Sequence, residues 1–366
     1  MPEATAVRRL TKRTLVTVSH ALEQAALAAA EDGPMVVFAL FQRLPYFERE
    51  RRIYERIASR AAATVVGLVG GEAPGMPADA YPVLLDEKEE LAREWTVVVL
   101  TPRFGAVLVA HDLEQVEPGA ATLESGRLFE ARTGLRRDDA LHEVLRLRNQ
   151  LADRLPADAL SAVDAVVDRV RDLPATPGES RADAVLHLLT ARAERDHTRL
   201  RTGAHRAAEA PPQPQTGDTD LAGEPGMRRW TGADGVTASG VLPVAVLAVR
   251  VAHAESGQDG PIGRTGTRQQ QAAVELLLRR LRPGDRATKV GDNDFLLFLP
   301  SLPLDDAVAF AYGLAADFAE TRGSFLAATL SVALTVTRTR PLPVDQLRQA
   351  LEWAIARNAP VVTIES

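Results

Sequence analysis

The 366-residue sequence contains no cysteine. That absence excludes disulfides, thiol catalysis and any cysteine-ligated metal. Histidine is sparse as well. The seven present are scattered and none pairs at HxxxH or a similar spacing, so a zinc site is not expected. No uninterrupted run of about 18 apolar residues occurs, so no segment is expected to span a membrane. The longest candidate, WTVVVLTPRFGAVLVA, is split by Pro102 and Arg103 and reads as two strands. The opening MPEATAVRRLTKRTLVTVSH has basic residues but no apolar core followed by a small-residue cleavage site. It does not read as a signal peptide, and a cytoplasmic protein is expected. Positive charge is not in excess either: the net charge is −6, so direct nucleic-acid binding is not expected.

What remains is an ordinary soluble composition, 46% apolar and 25% charged, on a chain long enough for two or more cores. Residues 15–32 carry apolar side chains at helical spacing, and Gly33-Pro34 stops that helix. MVVFALF reads as a buried strand, RLPYFERERRIYERIASRAA as a helix, and TVVGLVG as a second buried strand. After a Pro/Gly-rich loop, EWTVVVLTP and FGAVLVAHDL form a strand pair. Strands alternating with helices predict an α/β domain over residues 1–135. From 136 to 203 the pattern is helical, which predicts a helical connector. Its amphipathic faces suit packing on a neighbouring domain or self-association into a homodimer. Residues 204–228, rich in Pro, Gly and Ala and without periodicity, read as a flexible linker.

Residues 229–366 give strand VLPVAVLAVRV, helix RQQQAAVELLLRRL, hairpin ATKVGDNDFLLFLP, helix LDDAVAFAYGLAADFAET, strand LAATLSVALTV, helix VDQLRQALEWAIARN and a short final strand. The β-α-β-β-α-β order predicts a ferredoxin-like core with additions. The chain as a whole thus combines an α/β domain with an α+β domain.

The hairpin gives this last domain a more specific likeness. Gly291-Asp292-Asn293-Asp294-Phe295 resembles the Gly-Gly-Asp/Glu-Glu-Phe signature of GGDEF domains, the fold of diguanylate cyclases, and Lys289 stands in place of the usual preceding Arg. The resemblance covers roughly 125 residues and includes LFLP, TLSVALT and LRQALEWAIARNAP. It implies a site in which Mg²⁺ on GTP is held by an acid from the first strand and a carboxylate from the hairpin. A gap-free register puts Arg250 at the first-strand acid, Glu255 at a phosphate-binding Lys, and Gln258 and Thr267 at the guanine-binding pair. The second Gly becomes Asp292 and the metal carboxylate becomes Asn293. An arginine repels Mg²⁺, an amide is a weak ligand for it, and VAVLAVRVAHA contains no acid to substitute. The resemblance therefore implies a degenerate domain without cyclase activity and without metal or cofactor. Arg250 has two readings: a counter-charge for Asp292 and Asp294, or a solvated residue at a strand end.

Arg282-Pro283-Gly284-Asp285 lies five residues before Gly291. In the family, RxxD at this offset is the inhibitory site for cyclic di-GMP, so the resemblance implies a ligand site at Arg282 and Asp285. Arginine can make forked contacts to phosphate or a guanine edge, and aspartate accepts from guanine N–H groups. The plain alternative is a turn that ends a helix, with Arg282 and Asp285 forming a solvated ion pair.

LVTVSHALEQAAL, VFALFQR, REWTVVVLTPRFGAVLVAHDL and RLFEARTG resemble the DICT domain, a sensory module of signalling proteins. Within it, Phe41-Gln42-Arg43, Glu94-Trp95 and His111-Asp112 fall at predicted strand ends, where α/β domains place ligands; the plainer reading puts Phe41 and Trp95 in the core and Asp112 in a turn cap. His111-Asp112 lacks the GxSxG elbow of a hydrolase. The expected function is a non-catalytic signalling protein that binds cyclic di-GMP through RxxD and acts on a protein partner. A nucleotide-independent adaptor and a weakly active cyclase are the alternatives.

Overall fold

The computed structural model describes residues 7–70, 75–77, 80–208, 224–232, 242–253, 264–291, 293–320 and 328–365. It separates into two units, Met1–Leu113 with Leu128–His205, and Glu114–Arg127 with Arg206–Ser366.

The first unit is built on a seven-stranded sheet. In chain order its elements are β1 (Arg8–Thr11), α1 (Lys12–Ala29), β2 (Val36–Phe41), α2 (Leu44–Ala58), β3 (Ala63–Val69), β4 (Ala80–Leu85), β5 (Glu94–Leu100), β6 (Gly105–Val116), β7 (Arg127–Gly134), α3 (Arg137–Gln150), α4 (Ala157–Arg171) and α5 (Pro177–Ala208). The strand order is β1-β7-β6-β5-β2-β3-β4. Strands β2, β3 and β4 run parallel, whereas β5 is antiparallel to both β2 and β6.

The unbroken apolar run of β2 has a direct cause, because both faces of the sheet are covered. Val37, Ala39 and Phe41 pack with Leu15, Leu22, Phe47 and Tyr54 of α1 and α2. Val36, Phe38 and Leu40 pack on the opposite side with Val144 and Leu147 of α3 and Val163 and Val167 of α4. Residues 136–203, read from the sequence as a connector, therefore include helices that supply half of this unit's core. The approach is close: a Cβ on Gly105 would lie 2.5 Å from the Cα of Arg137.

Two further strands were not legible as such. β4 lies in the stretch read as a Pro/Gly-rich loop, and it tolerates Pro82 because it is an edge strand. β1 has only four residues, too few to show a period.

The second unit contains α6 (Glu224–Thr231), β8 (Val244–His253), α7 (Arg264–Arg279), β9 (Arg286–Lys289), β10 (Asp294–Pro300), α8 (Leu304–Glu320), β11 (Ala328–Thr337), α9 (Val344–Ala356) and β12 (Val361–Thr363). Its sheet runs β12-β11-β8-β10-β9. Strand β8 lies antiparallel between β10 and β11, the arrangement of a ferredoxin-like core, and β12 extends it alongside β11. Leu247, Val249 and Val251 bury one face of β8 with Leu277 of α7 and Phe318 of α8. Val244, Val246 and Ala248 face Leu347 and Leu351 of α9 together with Met227 and Trp230 of α6. The end of the expected linker, residues 224–228, is thus helical and is anchored by Met227, with Trp230 just beyond it on the same helix. Residues 209–223 of that linker lie outside the described residues. Among the described residues no helix is long and apolar enough to cross a membrane.

Candidate functional site

The β9–β10 hairpin forms where the sequence placed it. Val290 and Gly291 both donate backbone N–H groups to the carbonyl of Asp294, at 2.9 and 3.3 Å. Phe295 is 2% exposed and anchors the turn in the core. Asn293 is exposed, and its backbone carbonyl accepts from Val251 N–H at 3.0 Å. Asp292 lies outside the described residues, as do Glu255 and Gln258, and the side chain of Thr267 is likewise not described.

Arg250 stands opposite Asp294 in the β8–β10 register. Its Nε donates to Asp294 Oδ1 at 2.6 Å and its Nη2 to Oδ2 at 2.8 Å. Nη2 also lies 2.7 Å from Oε1 of Glu352 on α9. Hydrogen bonds to Asp294 and then to Glu352 push the guanidinium's pKa further upward, so it is a fixed cation. Of the two readings of Arg250, the structure supports the counter-charge for Asp294. The solvated strand end is not what is found, because a fork-shaped donor lies directly across from a carboxylate on a neighbouring strand.

At the end of α7 the chain turns through Arg282-Pro283-Gly284-Asp285, with Asp285 N–H donating to the Arg282 carbonyl at 2.9 Å. The Asp285 side chain is 1% exposed. Its Oδ2 accepts from the backbone N–H of Arg282 at 2.8 Å, and its Oδ1 from Nη2 of the same residue at 2.9 Å. Nη2 also donates to the Pro300 carbonyl at 2.8 Å. The structure therefore brings the two RxxD residues together as an ion pair within a turn. The pair is not solvated as expected: the carboxylate is buried, and only the half-exposed arginine faces outward.

In the first unit, the pleat of β5 separates two neighbouring candidates. Trp95 borders a cavity of about 120 Å³ that is also lined by Phe41, Gln42, His20, Tyr46 and Glu50. Glu94 points to the other face, where it is 2% exposed and accepts from Arg146 Nη1 and Nη2 at 3.0 and 2.7 Å. Glu143, also buried, accepts from Arg132 at 2.8 Å and from Arg146. Burial opposes the charge on Arg146, but its bonds to Glu94 and Glu143 outweigh that effect and raise its pKa. His111 approaches Glu94 at 3.9 Å, and Asp112 lies within β6 rather than in a turn cap. Gln42 donates to the Arg93 carbonyl at 3.0 Å, and Arg43 lies 3.8 Å from Glu87.

A residue that sequence reasoning passed over is hydrogen-bonded to Ser19, which itself lines this cavity. Glu23 is 1% exposed on the apolar face of α1, where Oε1 accepts from Ser19 at 3.0 Å and from Tyr54 at 3.2 Å. Its Oε2 is buried without a hydrogen-bond partner. Burial is the main cause that lifts the Glu23 pKa to about 7; the Ser19 bond works against it and nearby Glu50 adds to it. The signal was present in the sequence as an acid between Leu22 and Ala26 in an otherwise apolar helical stripe.

Residues 2–113 match the family model of DICT, the sensory domain in diguanylate cyclases and two-component systems. No curated protein matches the chain by sequence. Similar solved structures include the GGDEF domain of DgcB from Caulobacter crescentus in complex with c-di-GMP, 16% identical, covering 42% of this chain and 99% of that chain with a TM-score of 0.36. The diguanylate cyclase SiaD from Pseudomonas aeruginosa, in complex with its activator SiaC, is 19% identical over 62% of this chain and 88% of its own, with a TM-score of 0.38. The active GGEEF domain of a diguanylate cyclase from Vibrio cholerae is 13% identical over 34% of this chain and 84% of its own, with a TM-score of 0.27. The ferredoxin-like assignment of the second unit stands on its own strand order.

Proposed function

We propose that this chain is a non-catalytic signalling protein in which the first unit senses and the second unit is a GGDEF-like module that does not make cyclic di-GMP. The observation that carries the reading is the forked Arg250–Asp294 contact. At the position where the resemblance calls for a metal-binding acid, a permanent cation is held by two carboxylates, Asp294 and Glu352. A divalent ion brought there would meet like charge. Asn293 adds only a neutral oxygen, a poorer ligand for Mg²⁺ than the expected carboxylate. Incubation of the full chain with GTP and Mg²⁺ or Mn²⁺ tests this directly. No cyclic di-GMP or linear intermediate is expected, and turnover abolished by Asp294→Asn would overturn the proposal.

Cyclic di-GMP binding at Arg282 and Asp285 is a second reading, favoured by one feature. Arg282 is fixed by Asp285 and Pro300, while its half-exposed side chain still faces solvent. Such a pinned guanidinium suits a phosphate or a guanine edge. Asp285 is buried and satisfied, so it supports the arginine rather than meeting a ligand in this geometry. Calorimetry with cyclic di-GMP should show heat that Arg282→Ala removes. No heat leaves a nucleotide-independent adaptor. For the adaptor and the homodimer alike, the contact surface we propose is α5, where Val185, Leu188 and Leu189 are 54%, 68% and 60% exposed.

A further inference from the structure

His20 and Glu23 stand three residues apart on α1, and Glu50 is on α2. Residues at that spacing share one face of a helix. One ligand atom from each of the three lies within 4.8 Å of the others. His20 Nε2 and Glu50 Oε1 are 3.0 Å apart and share a hydrogen bond, so an ion held by both would take the place of that contact. The independent observation is Glu23 itself. Its side chain is buried, with the residue 1% exposed, and Oε2 has neither a hydrogen bond nor water access; Trp95 Nε1, on the border of the cavity that His20 lines, is likewise buried without a partner. A buried carboxylate oxygen left without a partner is costly, and native structures ordinarily supply one.

We propose that His20, Glu23 and Glu50 bind a divalent transition-metal ion of the zinc class, with Glu23 Oε2 as the buried ligand. The imidazole decides the class of ion. Nitrogen with two carboxylate oxygens suits zinc, manganese or ferrous iron, whereas magnesium and calcium prefer oxygen alone. Three protein ligands leave at least one coordination position open. His20 and Glu50 also line the 120 Å³ cavity, so that position faces a space bordered by Phe41, Tyr46 and Trp95. The absence of paired histidines in the sequence did not reveal the site, because one ligand comes from another helix. This inference is independent of the second unit and of whether that unit binds a nucleotide.

The test uses the full chain, freed of metal by chelation and titrated calorimetrically with Zn²⁺ and, separately, with Mg²⁺. One equivalent of Zn²⁺ is expected to bind and to raise the thermal unfolding midpoint, with Mg²⁺ producing neither effect. His20→Ala and Glu50→Gln alter side chains that are 49% and 29% exposed, so both variants should remain folded. Each should weaken Zn²⁺ at least tenfold and remove the thermal shift. Glu23→Gln should do the same, and its folded state can be checked by circular dichroism before titration. Co²⁺ substitution should produce visible absorption bands in the wild type that His20→Ala abolishes. Failure to bind Zn²⁺, or binding that persists unchanged in His20→Ala and Glu50→Gln, would overturn the proposal.

Discussion

Arg250 and Asp294 face each other across strands β8 and β10 and are joined by two hydrogen bonds, of 2.6 and 2.8 Å. This pairing couples the first strand of the second unit to its hairpin. Without the hairpin acid the arginine would keep only Glu352, and without the arginine the acid would lose its forked counter-charge. Both side chains retain nearly a third of their exposure, so the pair is worth less than a fully buried one. Arg250→Ala and Asp294→Asn should each lower stability by about 1–2 kcal/mol, and the double variant by clearly less than the sum. Urea unfolding of the three variants measures the coupling, and strict additivity would contradict it.

The RxxD turn yields a sharper contrast. Asp285 holds both the backbone N–H and the guanidinium of Arg282 from a buried position. Asp285→Ala should cost about 2–3 kcal/mol, because it removes a charge-assisted pair and leaves the Arg282 N–H unsatisfied. Arg282→Lys keeps the charge but loses the fork, so it should weaken any cyclic di-GMP binding more than it affects stability. The comparison of unfolding and calorimetry on the same variants separates the turn from the ligand site.

In the first unit, Arg146 is shared by two buried carboxylates, Glu94 and Glu143. Arg146→Met retains most of the side chain's volume but leaves both acids without it. A loss of about 3–5 kcal/mol is expected at neutral pH, among the largest from any single change in this unit. A loss below about 1 kcal/mol in chemical denaturation would show that the network does not hold α3 to the sheet.

Glu179 sets a pH dependence whose sign can be worked out. Burial pushes its pKa up, but bonds from the backbone and side chain of Arg137 and from Thr176 outweigh that and hold it below the ordinary value of 4.5. A folded value below the unfolded one contributes stability that is present above about pH 4.5 and is lost as pH falls through the folded value. Glu179→Gln should therefore be less stable than wild type near neutral pH, with the gap narrowing in acid below about pH 4.5. A gap that widened in acid would contradict the assignment.

The exposed row on α5 makes a prediction about association. Leu188→Glu combined with Leu189→Glu should reduce self-association in sedimentation velocity and leave the unfolding midpoint nearly unchanged, since both side chains are already outside the core. Identical sedimentation of variant and parent at all concentrations would remove the homodimer through this face.

Most of the elements in both units were legible in the sequence, the short strand β1, the edge strand β4 and helix α6 being the exceptions. The runs VVFALF and ATVVGLV had to be strands covered on both faces, because a chain with that much contiguous apolar surface cannot leave either side in water. The βαββαβ order and the hairpin at Gly291–Asp294 were equally plain, since both follow from local periodicity and turn chemistry. The remainder arose from packing between elements. Whether Arg250 is solvated depends on a strand 44 residues away, and nothing local encodes that distance. The destination of α3 and α4 was undetermined, because an amphipathic stripe states that a face is buried without naming what buries it. The grouping of His20 and Glu23 with Glu50 required two helices to meet, and β5 sent Glu94 and Trp95 to opposite faces through nothing more than its pleat. Periodicity acts within an element, whereas a site is assembled between elements.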